Sequence, residues 1–147
     1  MSGVKLTDIV EKMNLKNLTP EVDITEREVL VPDVNRPALQ LAGFFDHFDL
    51  NRVQIIGNVE CAYLETLEEE KRVEIYQKLL EHKVPCIIFS NELQPDESFI
   101  EIAQKNDIPV FGTCKKTSSF MGELIRWLNV CLLYTSPSPR DMRRARM

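Results

Sequence analysis

The chain has 147 residues, 44% of them hydrophobic, which is enough for one domain with one ordinary core. Residues 131–147 hold four arginines and one aspartate, so residues 1–130 carry 14 basic and 22 acidic side chains, a net charge of −8. This acidity argues against nucleic acid or an anionic membrane as a partner. The chain has no apolar run long enough to span a bilayer and its N-terminus has no apolar signal core, so we expect a cytoplasmic protein.

The first third of the chain predicts short elements. Thr7 is placed to cap a short helix at residues 8–14, and residues 28–31 have the composition of a strand. Residues 36–45 predict a turn and a short helix, with Pro37 at the first helical position. The apolar residues expected to pack against the sheet from this segment are Leu39, Leu41, Phe44 and Phe45.

Three strand-then-helix units follow. The predicted strands are residues 53–56, 85–90 and 109–111, and the predicted helices are residues 66–81, 96–105 and 117–128. Thr66 and Glu69 fit a capping box at the start of the first helix. Parallel neighbours need long return connections, so this order predicts a single α/β domain over residues 1–130, with a mainly parallel sheet and helices on both faces.

Residues 36–60, RPALQLAGFFDHFDLNRVQIIGNVE, join an Arg-Pro turn, an aromatic cluster and a buried strand. The segment resembles the N-terminal domain of HPr kinase/phosphorylase, a bacterial enzyme that phosphorylates and dephosphorylates a serine of the phosphocarrier protein HPr. The matching residues are Arg36, Pro37, Gly43, Phe44, Phe45, Arg52, Val53, Gln54, Ile55, Ile56, Gly57 and Glu60. The resemblance runs from about Val4 to Leu128 and departs at Ala38, where the family usually has glycine.

The resemblance implies a longer protein, because in this family kinase chemistry resides in a downstream domain with a His-Gly-Val segment and a P-loop. The five glycines here are scattered and form no G-x-x-x-x-G-K-[ST] motif. Full-length members use ATP or pyrophosphate with Mg²⁺, act in carbon catabolite repression and assemble as hexamers through their catalytic domains. We therefore expect a regulatory or docking fragment without catalytic, cofactor-binding or metal-binding residues, which would reach HPr only through the missing domain.

The end of the chain differs in character. From Cys131 the sequence CLLYTSPSPRD interrupts the helical pattern and leads into an arginine-rich end. It matches one reading frame of a common transposase-type library adapter, so we interpret residues 131–147 as a disordered, translated adapter on a truncated gene. The alternative is a flexible basic tail, whose arginines would suggest nucleic-acid contact. Asn129 and Val130 fit either part.

Ligand sites of open parallel sheets lie at the carboxyl ends of the strands. This rule selects three loops, residues 57–60, 90–91 and 112–117. The third is the sharpest candidate because it opens a helix whose free amides favour an anion, although its residues also suit an ordinary cap and a solvated turn. The residues concerned are Lys115, Lys116, Thr117 and Ser118.

Other single residues have two readings each. Glu60 is a candidate base, but an exposed capping or salt-bridge role is favoured, and Arg36 is expected to fix loop carbonyls rather than to contact a ligand. We expect Gly57 to have positive φ or to allow a close backbone approach. His47 and His82 lack partners at metal-ligand spacing.

Two groups of side chains are assigned by composition. The aromatic residues Phe44, Phe45 and Phe48 form either core or a docking patch for another domain or subunit. Cys61, Cys86 and Cys114 show no C-x-x-C motif and are interpreted as buried, reduced thiols, and Cys131 belongs to the suspected tail.

Three functional readings follow. The first is the HPr kinase/phosphorylase fragment. The second is a stand-alone domain of the same α/β type that binds or senses a small anion over the three loops, and the third is a small enzyme that uses Lys115 or Glu60.

Overall fold

The computed structural model describes residues 3–42 and 51–134. In chain order the elements are β1 (Val4–Lys5), α1 (Leu6–Met13), β2 (Lys16–Asn17), β3 (Glu28–Val29), β4 (Val34–Asn35), α2 (Ala38–Leu41), β5 (Val53–Ile56), α3 (Asn58–Glu65), α4 (Glu69–Glu81), β6 (Ile87–Phe89), α5 (Glu97–Lys105), β7 (Val110–Gly112) and α6 (Thr117–Tyr134). The second half therefore alternates strands with helices.

A five-stranded sheet with the order β2-β7-β6-β5-β4 lies at the centre. The pairs β4–β5, β5–β6 and β6–β7 are parallel, and β2 joins the far edge antiparallel to β7. β1 and β3 form a separate antiparallel pair, in which Val4 lies opposite Val29. The predicted α/β fold with a mainly parallel sheet is confirmed.

Alternate residues of the inner strands point to opposite faces of the sheet, as the two-residue period of a strand requires. On β6 and the residue before it, Cys86 and Ile88 join a core with α1 and α6, which we call the first face. Ile87 and Phe89 join a second core with α2, α3, α4 and α5, the second face. The strands are apolar on both sides because helices cover both.

Two helix starts differ from the sequence prediction. α1 begins at Leu6 after Lys5, so Thr7 lies inside the helix instead of capping it. α4 begins at Glu69 after Glu68, and Thr66 lies at the end of α3, where its Oγ1 donates to the Tyr63 carbonyl at 2.6 Å. The unpredicted helix α3 uses Thr66 at its C-terminal end, which removes the predicted capping box.

The last helix is longer than predicted. α6 continues past Leu128 to Tyr134 and enters the segment interpreted as a tail. Cys131 and Leu132 are partly buried against the core of the first face. Residues 135–147 lie outside the described residues, so their disorder and the domain boundary at residue 130 stay predictions. None of the helices within 3–42 and 51–134 has the length and hydropathy needed to cross a bilayer.

Candidate functional site

The three predicted loops meet at one edge of the sheet, above the ends of β5, β6 and β7. The Ser90 and Thr117 hydroxyls are hydrogen-bonded at 2.5 Å, and Asn91 Nδ2 donates to Thr117 Oγ1 at 2.9 Å. Ser90 Oγ also donates to the Ile56 carbonyl at 3.3 Å. The first turn of α6 is thus tied to the loop after β6, as the strand-end rule predicts.

The loop after β6 has an unusual backbone. Asn91 and Glu92 have φ of 58° and 57°, in the left-handed region that residues other than glycine seldom adopt. Their amides donate to the carbonyls of Lys115 and Thr113 at 2.8 and 2.9 Å. These two hydrogen bonds hold the loop against the segment before α6 and offset the cost of the conformation.

An ion pair between Arg36 and Glu60 lies beside these loops. Arg36 Nη2 and Nε donate to the two Glu60 carboxylate oxygens at 2.6 and 3.1 Å, and the Gly57 amide donates to Glu60 Oε1 at 2.9 Å. The Glu60 side chain is 2% exposed and the Arg36 side chain 31%. A bidentate pair with an added backbone donor satisfies a buried carboxylate.

This geometry gives Glu60 a capping and salt-bridge role, in a buried rather than the predicted exposed position. With three donors on its carboxylate, Glu60 is engaged in holding the loop and is poorly placed to act as a catalytic base. Arg36 was expected to fix loop carbonyls; its partner is a carboxylate instead, and its Nη1 also lies 3.9 Å from the Met121 sulfur. The arginine therefore joins β4, α3 and α6.

Gly57 has φ of −118°, extended backbone, so the expectation of a positive φ is wrong. The alternative expectation, a close approach, is met. A Cβ on Gly57 would lie 2.6 Å from Thr117 Oγ1 and 2.9 Å from Arg36 Nη2. Glycine is needed here because neighbouring side chains occupy the space of any larger residue.

A shallow depression of about 410 Å³ opens at this edge, and we call it the edge depression. Its lining residues include no carboxylate and are Arg36, Asn58, Val59, Asn91, Lys116, Thr117 and Ser118. Lys115 points elsewhere, to Glu123 on α6 at 2.8 Å, and this hydrogen bond lowers the pKa of the Glu123 carboxyl. Of the predicted anion-binding residues, the structure brings Lys116, Thr117 and Ser118 to the depression but not Lys115.

The remaining candidates do not form a site in the described residues. His82 Nδ1 lies 2.8 Å from the Lys78 carbonyl at the end of α4. In the part of the chain that the structure describes, no three His, Cys, Asp or Glu side chains are grouped to hold a metal ion. His47 and the aromatic residues Phe44, Phe45 and Phe48 lie outside the described residues.

A profile of the family described as "HPr Serine kinase N terminus" matches residues 4–128. The chain belongs to the HPr serine kinase N-terminal family. The match covers nearly all of the described structure, from β1 to the middle of α6. The resemblance seen in the sequence is thus confirmed.

Curated relatives of this HPr serine kinase N-terminal domain are named HPr kinase/phosphorylase. The one from Lachnoclostridium phytofermentans is 54% identical over 130 residues, covering 88% of this chain and 42% of that protein. The one from Caldicellulosiruptor bescii is 40% identical over 120 residues, 82% of this chain and 39% of the relative. The one from Alkaliphilus metalliredigens is 33% identical over 135 residues, 92% of this chain and 43% of the relative. The chain thus spans well under half of each relative's length.

A solved structure shares the fold of this family member. It holds the CBS and DRTGG domains of the regulatory region of Clostridium perfringens pyrophosphatase, complexed with the activator diadenosine tetraphosphate. The TM-score is 0.53 with 20% sequence identity, and the alignment covers 83% of this chain and 46% of that chain. At this identity the likeness concerns the fold alone.

Among the described residues, this edge of the sheet offers hydrogen-bond donors and the side chain of Lys116, which makes no ion pair there. Asn58 and Asn91 lie in two of the three loops that the strand-end rule selects, although the sequence named neither side chain as a ligand contact. Asn58 follows a strand as the first residue of α3, a helix that the periodicity did not reveal.

Proposed function

We propose that this chain is the N-terminal regulatory or docking domain of an HPr kinase/phosphorylase. The observation that carries the proposal is its 54% identity over 130 residues to the Lachnoclostridium phytofermentans HPr kinase/phosphorylase. The absence of a P-loop motif from the sequence supports a non-catalytic role for this part of the protein. At the sheet edge the candidate base Glu60 is instead held in an ion pair with Arg36.

The full-length protein would transfer phosphate from ATP or pyrophosphate to a serine of HPr and reverse the reaction by phosphorolysis, in carbon catabolite regulation. ATP or pyrophosphate and Mg²⁺ would bind in the catalytic part, as would HPr. The full-length assembly would be a cytoplasmic hexamer formed through the catalytic domains. The relatives' names support the HPr kinase/phosphorylase activity, and the family resemblance implies the other properties.

A chimeric enzyme tests the proposal. Residues 4–128 of this chain replace the matching residues of the Lachnoclostridium phytofermentans enzyme, and phosphorylation of HPr is measured with labelled ATP and Mg²⁺. We expect the chimera to phosphorylate HPr and to assemble as the parent enzyme does. A folded chimera that neither assembles nor phosphorylates HPr would contradict the proposal.

Two further reactions separate the roles of the parts. The isolated 147-residue chain, incubated with HPr, Mg²⁺ and labelled ATP, is expected to leave HPr unphosphorylated, with the parent enzyme as the positive control. The catalytic part of the parent enzyme is then assayed alone. If its basal rate is unchanged but its response to metabolites is lost, the domain is regulatory; if its KM for HPr rises, the domain is a docking module.

The edge depression favours a second candidate function, the sensing of a small anion. Lys116 lies at the depression, whose lining contains no carboxylate, although residues 1–130 carry a net charge of −8. The Arg36 guanidinium beside it is paired with Glu60, so Lys116 supplies the charge that would attract an anion. Inorganic phosphate is titrated into the chain while backbone amide shifts are recorded. Lys116→Gln should weaken binding, whereas Lys105→Gln, at the exposed end of α5, should not. Equal binding by both variants would contradict this candidate.

A further inference from the structure

A separate cavity lies on the second face of the sheet, where α3, α4 and α5 meet near the end of β6. We call it the three-helix cavity, and its volume is about 230 Å³. Leu64, Tyr76, Phe89 and Phe99 form its floor and are 6%, 3%, 3% and 1% exposed. The rim is formed by Cys61, Glu65, Arg72, Gln94, Pro95 and Asp96. An apolar floor with a few polar groups at the rim is the usual form of a small-molecule site.

The floor is aromatic. The rings of Phe89 and Phe99 have centroids 5.3 Å apart at an interplanar angle of 85°, and those of Tyr76 and Phe99 are 5.0 Å apart at 88°. These edge-to-face pairs hold three rings in fixed orientations around the cavity. A further ring or an organic cation that enters would meet aromatic edges and faces, both of which give specific contacts.

The charges at the rim select the ligand. Arg72 Nε lies 3.3 Å from Asp96 Oδ2, the Tyr76 hydroxyl donates to the same oxygen at 2.6 Å, and Arg72 Nη1 donates to the Leu67 carbonyl at 2.9 Å. The Arg72 charge is thus balanced by Asp96. The exposed side chain of Glu65 makes no hydrogen bond or ion pair with another described residue, so no cationic side chain balances its negative charge at the rim.

We propose that the three-helix cavity binds a small neutral or cationic aromatic compound, about the size of a monosubstituted benzene. The floor supplies contact with the ring, and Glu65 and Gln94 supply acceptors for a donor group on the ring. Anions such as sugar phosphates are disfavoured, because they would face the uncompensated carboxylate. Burial raises the pKa values of the Cys61 thiol and of the Tyr76 hydroxyl, which also donates to Asp96, and titratable groups perturbed in this way cluster at functional sites.

This site goes beyond the proposed function and is tested without any kinase assay. The probes are benzylamine, benzyl alcohol and benzoate, which share a ring and differ in charge. Each is titrated into the 147-residue chain while backbone amide shifts are recorded. We expect benzylamine to bind with a Kd on the order of 1 mM, benzyl alcohol more weakly and benzoate least, with the shifts concentrated on α3, α4 and α5. Benzoate binding as well as benzylamine, or shifts centred elsewhere, would overturn the proposal.

Two carboxylate variants provide a matched pair. Glu65→Gln removes the charge at the rim, and Glu81→Gln removes one at the exposed end of α4, outside the cavity. Glu65→Gln should weaken the binding of benzylamine by about twofold to fivefold and leave the affinity for benzyl alcohol unchanged. Glu81→Gln should change neither. An equal effect of the two variants on benzylamine would mean that net charge, and not this cavity, attracts the probe.

A filling variant tests the space itself. Cys61→Phe places a ring in the cavity and should abolish binding of all three probes. If that variant fails to fold, the Glu65→Gln comparison still decides the matter, because Glu65 is exposed and its replacement leaves the core intact. Retained binding in a folded Cys61→Phe protein would overturn the proposal.

Discussion

The two faces of the central sheet are covered in different ways. On the first face the long helix α6, with 18 residues, packs beside α1 over a single apolar core. On the second face four helices share the surface, and the longest of them, α4, has 13 residues. One long helix covers a face continuously, whereas several short helices leave space where they meet. The three-helix cavity is such a junction, so the second face is where we expect a ligand.

The Arg36–Glu60 ion pair joins the two faces. Glu60 belongs to α3 on the second face, and Arg36 also approaches Met121 of α6 on the first. The polar groups of the Arg36 and Glu60 side chains are satisfied by partners from three elements. Breaking this pair should therefore have the largest effect on the whole domain.

The first prediction concerns Arg36→Ala. It leaves the Glu60 carboxylate, 2% exposed, without its cation, and we expect a loss of about 3 kcal/mol in the free energy of unfolding. Urea unfolding measures the change. Adding Glu60→Gln to Arg36→Ala should recover part of the loss, because an unpaired buried amide costs less than an unpaired buried carboxylate.

Arg126→Ala, at an exposed position on α6, is the control and should change stability by less than about 0.5 kcal/mol. If Arg36→Ala lowered the free energy of unfolding as little as Arg126→Ala, water would reach Glu60, and the ion pair would not join the two faces of the sheet.

The second prediction tests the close approach at the same corner. Gly57→Val should cost about 1 to 3 kcal/mol, because its side chain would collide with Thr117 Oγ1 and Arg36 Nη2. Gly122→Ala is the matched control: a Cβ there meets nothing within 4 Å, and alanine favours the helix, so stability should hold or rise. Thermal melting distinguishes the two variants. An unchanged melting temperature for Gly57→Val would show that position 57 does not require glycine.

The elements that the sequence predicts well are those with a local signal. β5 has the predicted bounds, and β6, β7 and α5 lie within two residues of them, because apolar runs and amphipathic periods are readable from neighbours along the chain. The same order of strands and helices places the three loops at one edge. The sequence alone therefore places Gly57, Ser90 and Thr117 at the same edge of the sheet.

The elements that the sequence misses depend on distant partners. β2 and β4 have two residues each and exist because β7 and β5 pair with them. α3 buries only Leu64 and Glu60, so it lacks the apolar stripe that reveals a helix. Glu60 was expected at the surface because its partner, Arg36, is 24 residues away. The three-helix cavity arises from the junction of three helices, one of them unpredicted.

The third prediction uses one thiol from each face to compare how they respond to alkali. Burial raises the pKa of Cys86, on the first face, to about 12, and burial beside Glu60 and Glu65 raises that of Cys61, on the second, to about 11, both from 9.0. The folded state therefore holds protons that the unfolded state releases. The resulting stability is fully present below pH 9 and is lost as pH rises, by up to about 1.4 kcal/mol per pH unit for the buried Cys86. The loss is smaller for Cys61, which is only partly buried and therefore partly screened by water.

Cys61 contributes to the fall in the free energy of unfolding between pH 9 and about 11. Cys86 contributes to it between pH 9 and about 12. Urea unfolding at a series of pH values measures the slope in Cys61→Ala and Cys86→Ala. Each replacement should reduce the slope in its own window, whatever it does to stability at pH 7. Identical slopes in the parent and both variants would show that neither thiol is shielded from water in the folded state.

The smallest effect is expected at the end of α6, and it sharpens the account of the first face. Cys131 and Leu132 are partly buried against that core, although the sequence assigns them to a tail whose removal should leave the body intact. We therefore expect a chain ending at residue 134 to have the melting temperature of the full chain. A chain ending at residue 130 should lose about 1 kcal/mol in the free energy of unfolding, which is less than the burial of one complete apolar side chain contributes. Thermal melting and amide exchange of the three chains decide the point. Equal stability of all three would mean that the stabilising part of α6 ends near Leu128, as the helical pattern of the sequence predicts, and that the contacts of Cys131 and Leu132 add nothing measurable. A loss on shortening to residue 134 would instead show that residues 135–147 contribute to the fold.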